Sequence, residues 1–536
     1  MLFIFIKLYI LNMSTDIENL FKDKVLGHPA GLFVLFFTEM WERFSYYGMR
    51  ALLVLFLISS ITDGGFGWAK AEALSLYGTY TMGVYLTPVF GGLIADKLLG
   101  YRWAVIIGAL IMTLGHGAMA FETPMMLYVG LACLMIGNGL FKPNMTSIIS
   151  NMYKDHEGKK DGAYSIFYMG VNAGAFLGIM LCGYIGENYS WSLGFGLAGI
   201  FMFIGMLQFY FTQNIFGNIG LSPKQLKEIT LEEIGKDGDQ DLVEKNTEEK
   251  TPQRVVIDRL IAVGVFCIFT VFFWAAFEQA GGSMTIFAGE YTQRNLTGTY
   301  GTIFKYVDAL LTILPLGIIT YVLYLLFKKT FAKYALGNIV LSLSFIVIWG
   351  IVGWKIQRDF SQESVEVPAT WFGILNSLFI ITLAPFFSKW WESKYNMSGP
   401  LKFGLGLLLL GLGFGFLSMG SQSIVAGEPI VKVSMFWLIA AYLFHTMGEL
   451  CISPVSLSYI SKLVPAKWIG FMFGVYYLFI AMGNKLAGTV GSYIEDIEKA
   501  YSISGFFLIF TIIPIVAGLI IAGLNPLMKK LMHGVK

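Results

Sequence analysis

The chain has 536 residues, 56% hydrophobic and only 13% charged, with a net charge of +2 from 37 basic and 35 acidic side chains. Mean hydropathy is +0.66. That apolar share excludes a soluble domain, gives no sign of a nucleic-acid partner, and sets the class as an all-α polytopic membrane protein in contact with the lipid bilayer.

Residues 1–12 are apolar but too short to span, since about 20 residues are needed. No small-residue cleavage site follows, so the expectation is a start at Met13 or a surface-lying segment, with residues 1–30 cytoplasmic. The first apolar span, 31–59, contains Glu39, Glu42, Arg43, Tyr46, Tyr47 and Arg50. An Asp, Lys or Arg at a helix centre costs roughly 2.5–3.5 kcal/mol to insert. Glu39, Glu42, Arg43, Tyr46 and Arg50 fall at i, i+3, i+4, i+7 and i+11, which keeps them on one face. A plain ion pair packing two helices is the alternative, but intramembrane charges more often mark an ion or substrate pathway.

Further apolar spans follow at 73–95, 103–122, 125–150, 163–186 and 190–212, completing a six-helix bundle over 31–212. A polar linker occupies 213–254. Within it, Ser222-Pro223 and the following Lys-Gln-Leu-Lys-Glu-Ile predict a capped amphipathic helix, and 236–253 reads as flexible. Spans at 256–280, 302–327, 335–354, 369–391, 401–420, 433–460, 468–492 and 502–528 bring the total to about fourteen. The second bundle covers 255–530, with an inserted hairpin at about 298–355 and a cytoplasmic tail at 531–536. The hairpin is expected at the periphery, against lipid and the second bundle, with Asp308 interfacial. Lys and Arg concentrate in alternate loops, including the linker and the tail, so both termini are expected inside an integral plasma (inner) membrane. Cys133, Cys182, Cys267 and Cys451 lie in apolar segments without metal or redox spacing and read as core.

Six helices, a linker and a second bundle fit the major facilitator plan, with substrate near the midplane between the halves. The loop Gly91-Gly92-Leu93-Ile94-Ala95-Asp96-Lys97-Leu98-Leu99-Gly100-Tyr101-Arg102 resembles that superfamily's signature loop. Asp96 is expected to accept from Arg102 and to act as a gating latch; a plain surface turn is the alternative.

Glu39-x-x-Glu42-Arg43-Phe44-x-Tyr46-Tyr47 resembles the first-helix signature of the proton-coupled oligopeptide transporters. Gly137-Asn138-Gly139-Leu140-Phe141-Lys142-Pro143-Asn144 is similar to that family's fourth helix, and Phe167-Tyr168-x-x-Val171-Asn172-x-Gly174 to its fifth. Phe273-Trp274-Ala275-Ala276-Phe277-Glu278-Gln279 resembles the seventh, Trp371-Phe372-x-x-Leu375-Asn376 the eighth, and Gly448-Glu449-Leu450-Cys451-Ile452-Ser453-Pro454 the tenth. Two departures stand out. Tyr476 occupies an eleventh-helix position where many members have Trp, and the hairpin follows the seventh helix instead of lying in the linker.

A short peptide is a zwitterion, so its site needs both signs of charge. The first half offers Arg43, Arg50 and Lys142, and the second offers Glu278 and Glu449. The resemblance implies Arg43, Lys142 and Asn172 toward the peptide carboxylate, and Asn376 and Glu449 toward its ammonium. Arg can hold a carboxylate as a bidentate fork. Tyr47, Tyr85, Tyr168, Trp274, Tyr476 and Ser453 complete the expected lining. Packing alternatives stay open: Lys142 snorkelling, Glu278 and Glu449 bonding between helices, Trp274 and Tyr476 as core, Asn172 and Asn376 bonding neighbours. His116 and His445 read as packing or hydrogen-bonding residues, and no cluster has metal spacing.

The expectation is proton-coupled symport of di- and tripeptides into the cytoplasm by alternating access, by a monomer, without enzymatic chemistry or any cofactor beyond protons. Glu39, Glu42, Arg43, Lys142 and Glu278 are the expected coupling residues: a proton taken by the Glu39/Glu42 pair frees Arg43 and Lys142 for substrate. The alternative is proton-coupled uptake of nitrate, another small anion or a peptide-like compound. A membrane hydrolase lacks its nucleophile or metal constellation here, and a sugar or drug carrier does not suit the charge layout.

Overall fold

The computed structural model describes residues 20–234, 252–425, 431–465 and 468–535. Residues 1–12, the stretch 236–251 and the last residue of the tail lie outside these. The first bundle comprises α1 (Ala30–Ile58), α2 (Lys70–Ile94), α3 (Gly100–Met119), α4 (Pro124–Met152), α5 (Glu157–Asn188) and α6 (Trp191–Thr212). The linker carries α7 (Pro223–Ile234). There follow α8 (Gln253–Phe277), α9 (Ser283–Glu290), the hairpin α10 (Gly298–Thr330) and α11 (Ala335–Ser361), and α12 (Ile374–Glu392). The chain ends with α13 (Gly399–Gly420), α14 (Phe436–Leu463), α15 (Ile469–Gly491), α16 (Ile494–Gly523) and the short α17 (Asn525–Leu531).

Twelve segments among the described residues are long and apolar enough to cross a membrane. One of them, Lys70–Met119, holds both α2 and α3, which meet at Gly100 with φ +73°. The 29-residue α1 is absent from that set because its charges break every apolar window. With α2 and α3 counted separately and α1 added, fourteen helices among the described residues correspond to the spans read from sequence.

Local chemistry starts the helices where expected. Thr123 accepts from the Met126 amide at 3.3 Å and Pro124 occupies the first position of α4. At α7, Ser222 Oγ accepts from the Gln225 amide at 3.3 Å while Gln225 Oε1 accepts from the Ser222 amide at 3.0 Å, a reciprocal capping box. Between bundles, α2 meets α15 at Gly78 and Gly488, where a Cβ on Gly78 would sit 2.6 Å from the Gly488 Cα. Only glycine permits that backbone approach.

The hairpin corrects the expectation. It packs chiefly on the first bundle, with Trp371 as a contact from the second. Phe345 of α11 meets Trp41 and Phe37 of α1 edge-on, both at 5.7 Å between ring centres. Gly337 lies against Thr212 of α6, and Thr312 donates to the Met180 sulfur of α5 at 3.2 Å. Asp308 is not interfacial. It is 6% exposed and ion-paired with fully buried Lys355, which also reaches Asp359 at 3.1 Å. Asp359 accepts from Tyr184 of α5 at 2.7 Å. An apolar helix surface suits lipid or protein equally, so hydropathy did not choose the neighbour; the buried polar groups, which need partners, did.

The signature loop also departs from expectation. Arg102 does not pair with Asp96. Its guanidinium donates to the carbonyls of Ile219, at 2.7 Å, and Gly217. Asp96 is exposed and bonds the Tyr101 side chain instead. The carbonyl-rich turn after α6 offers acceptors that remove the guanidinium from solvent, whereas Asp96 keeps its hydration. No Asp96–Arg102 latch exists in this state.

Candidate functional site

One cavity of about 680 Å³ lies between the bundles. Its first-bundle wall includes Glu39, Arg43, Tyr47, Arg50, Tyr85, Lys142, Tyr168 and Asn172. Its second-bundle wall includes Trp274, Glu278, Asn376, Glu449, Ser453 and Tyr476. Every sequence-predicted coupling or binding residue is therefore on this surface except Glu42, which sits one layer behind it.

α1 supplies the densest charge. Arg43 Nε approaches Glu39 Oε1 at 3.0 Å and also pairs with Glu42. All three side chains are buried, at 4%, 4% and 0% exposure. Glu42 accepts from Asn138 of α4 at 3.1 Å. Arg43 Nη2 and Glu39 Oε2 have no hydrogen-bond partner in the protein. Lys142, one turn beyond Asn138, makes no ion pair with either glutamate; its ammonium lies 4.9 Å from the Tyr85 ring centre. Asn138 escaped the sequence reading, although its i, i+4 spacing to Lys142 puts both on one face.

Across the cavity, Asn376 donates to Glu449 Oε2 at 2.9 Å and lies 3.2 Å from the Thr446 hydroxyl. So Asn376 does bond a neighbouring helix, α14, while lining the cavity. Asn172 instead donates to the Tyr168 carbonyl at 2.9 Å, within α5. Trp274 and Tyr476 are buried at 8% and 3% exposure and still contribute cavity wall, so core and pocket are the same surface here. Ser453 Oγ has no partner in the protein. His116 and His445 are buried, and no metal-binding group of His, Cys, Asp or Glu exists among the described residues.

Arg50 and Glu278 are not free ends of the site. They are ion-paired with each other across the bundles, and Tyr77 joins them: its hydroxyl accepts from Arg50 Nε at 2.7 Å and donates to Glu278 at 3.1 Å. Nearby, Lys70 pairs with Glu290 at 2.6 Å. Glu187 of α5 accepts from the Ala369 amide, the Thr370 amide and the Thr370 hydroxyl at 2.7, 2.9 and 2.7 Å. Three ion pairs join the two bundles at this end, away from the linker, while at the linker end Lys333 of the hairpin tip pairs with Asp23, ahead of α1, at 2.6 Å. The cavity is thus sealed at the far end and continues toward the linker end between Thr146, Tyr164 and Ser165 on one side and Leu457 on the other.

Two helical bundles around one charged cavity, closed at one end only, define a membrane transporter of the major facilitator fold. Comparison with known proteins narrows this. The family model described as PTR2, POT family, matches residues 102–235 and 348–509. An uncharacterized transporter of Bacillus subtilis is 30% identical, covering 97% of this chain and 99% of its own. A peptide transporter of Yersinia enterocolitica is 30% identical over 88% of each chain. The crystal structure of a peptide transporter, POT, in complex with sulfate superposes with a TM-score of 0.72 at 28% identity, covering 97% of this chain and all of that one. The chain belongs to the POT family.

Proposed function

We propose that the protein is a proton-coupled symporter of di- and tripeptides, working by alternating access as a monomer, since one chain encloses a whole cavity. The observation that carries this is the charge layout: Arg43 and Lys142 on the first bundle face Glu449, held by Asn376, on the second. A zwitterion laid across the cavity meets a cation at its carboxylate and a carboxylate at its ammonium. Arg43 Nη2 is buried and bonds nothing in the protein, so a guanidinium released from the glutamates carries a spare donor for the substrate carboxylate. Similarity to peptide transporters supports the same substrate class and a transporter in place of an enzyme. Nitrate would need the cations alone and leaves Glu449 and Asn376 without a role.

The Lys/Arg bias of the loops supports a bacterial inner membrane location with both termini and the linker in the cytoplasm. The far end is then extracellular, and the sealed state is inward-facing. In this state Arg43 is paired with Glu39 and Glu42, as expected after substrate and proton have left. Arg50, Tyr77 and Glu278 act as the outer gate, so Arg50 and Glu278 serve closure before they serve substrate.

The test is uptake of labelled dialanine into proteoliposomes under an imposed pH gradient, with competitors. Unlabelled dipeptide in excess should abolish the signal and nitrate should leave it intact; the reverse sinks the reading. Glu449→Gln should raise KM for free dipeptides about tenfold or more while leaving N-acetylated dipeptides unaffected, because a charge-assisted bond contributes about 1.5–3 kcal/mol. Equal loss for both substrates would remove Glu449 from amino-terminal recognition.

A further inference from the structure

The second bundle holds a buried ammonium that peptide transport does not use. Lys402 lies in the first turn of α13, at the linker end, and is only 7% exposed. Among the described residues its ammonium has one close charge contact, the face of Trp391 on α12, 4.4 Å from the ring centre. Lys462 of α14 is near enough to repel it. Trp391 Nε1 is buried and has no acceptor in the protein. Trp390 stacks on Trp391 at 4.6 Å and 20°, and Tyr459 walls the corner, its hydroxyl accepting from the Gly399 amide at 2.9 Å. The nearby carboxylate, Glu392, is exposed and turned to Ser388 at 3.4 Å.

An ammonium taken from water without a counter-ion costs several kcal/mol. A cation–π contact with Trp offsets only part of that. Among the described residues, the corner therefore gathers the Lys402 ammonium and the Trp391 indole N–H, neither with an acceptor, beside a second lysine. That is the complement of a tetrahedral oxyanion. Its depth is the end of a crossing segment, where Trp and Lys mark the headgroup layer, and basic pockets between helices on the cytoplasmic side suit lipid phosphates.

We propose that the corner formed by Lys402, Lys462 and Trp391 binds a phosphate-class anion, with the phosphate of an anionic phospholipid in the linker-side leaflet as the source its position favours. The site is separate from the central cavity and its lining.

The test is thermal unfolding of the purified full-length protein in detergent with added phosphatidylglycerol, phosphatidylcholine or inorganic phosphate. Phosphatidylglycerol should raise Tm by several degrees more than phosphatidylcholine. Lys402→Met should lose that difference and Lys402→Arg should keep it. A Lys402-dependent shift with inorganic phosphate supports the anion site and assigns it a soluble source. Identical shifts in wild type and Lys402→Met under all three additions overturn the proposal. Should Lys402→Met fail to fold, native mass spectrometry supplies the same decision: wild type should retain one phosphatidylglycerol more than Lys462→Gln, and equal retention overturns the site.

Discussion

Glu42→Gln should abolish pH-driven accumulation of dipeptide while leaving exchange of peptide across the membrane intact. Glu42 is fully buried, pairs with Arg43 and accepts from Asn138. Glu39 shares the same guanidinium. Two buried carboxylates share one guanidinium, and a proton on either removes one of the two ionic holds on it. Protonation therefore weakens the hold on Arg43 at the moment a substrate carboxylate arrives, and closure over the neutralised site can follow. Glutamine imitates the protonated carboxyl permanently, and its Oε1 still accepts from Asn138, so the fold has little reason to change. What disappears is the proton. One positive charge moving with substrate contributes about 2.3 kcal/mol per 100 mV, or roughly a 50-fold gradient. Labelled dipeptide in proteoliposomes should thus fall from such a gradient to near equality, with counterflow preserved. Lys142→Ala should act in the same direction, because it removes the second cation near that carboxylate pair. Normal accumulation in both variants would overturn the coupling assignment.

The legible part of this protein was its intramembrane charge. Glu39, Glu42, Arg43, Lys142, Glu278 and Glu449 are each expensive in an apolar span, so their presence alone marked a shared polar space, and the cavity gathers all but Glu42. The helices were legible for the same reason: long apolar runs have few ways to be satisfied in a membrane. Partner choice was not legible. Tyr77 reads as one more aromatic in an apolar span, yet it joins Arg50 to Glu278. Glu187 reads as a helix-end acid, yet it caps the backbone at Ala369 and Thr370 across the bundle interface. Arg102 went to two backbone carbonyls more than a hundred residues away in place of the nearby Asp96. In each case the winning partner is distant in sequence, and periodicity reports which face a residue occupies, not what stands opposite.

Lys355→Met should destabilise the protein by about 3–5 kcal/mol, the usual consequence of removing one member of a buried ionic group. Lys355 is wholly buried between Asp308 and Asp359, and its ammonium also lies 5.2 Å from the Tyr184 ring centre and 4.7 Å from that of Trp371. Methionine fills similar volume, so the loss is chiefly electrostatic: two carboxylates remain without their cation. Thermal unfolding in detergent measures the effect, and Lys355→Met combined with Asp308→Leu and Asp359→Asn should recover most of it, because no surplus charge is then left inside. A hairpin that merely faced lipid would show a cost below about 1 kcal/mol, as surface ion pairs do. The same cluster carries a consequence for motion. The hairpin is covalently part of the second half, its two ends held together by the ribbon pairing Asn295–Leu296 with Val365–Glu366, yet docks on α1, α5 and α6 of the first. When the bundles rock, a hairpin locked to α5 must travel with the first bundle while its neck is held by the second. Trp371, which covers Lys355, donates to the Met180 carbonyl of α5 at 3.0 Å, beside the Glu187 caps that seal the far end. Loss of the Lys355 charge therefore loosens the hairpin at the point where the two halves must part, and should ease opening of that end as well as lower the melting temperature.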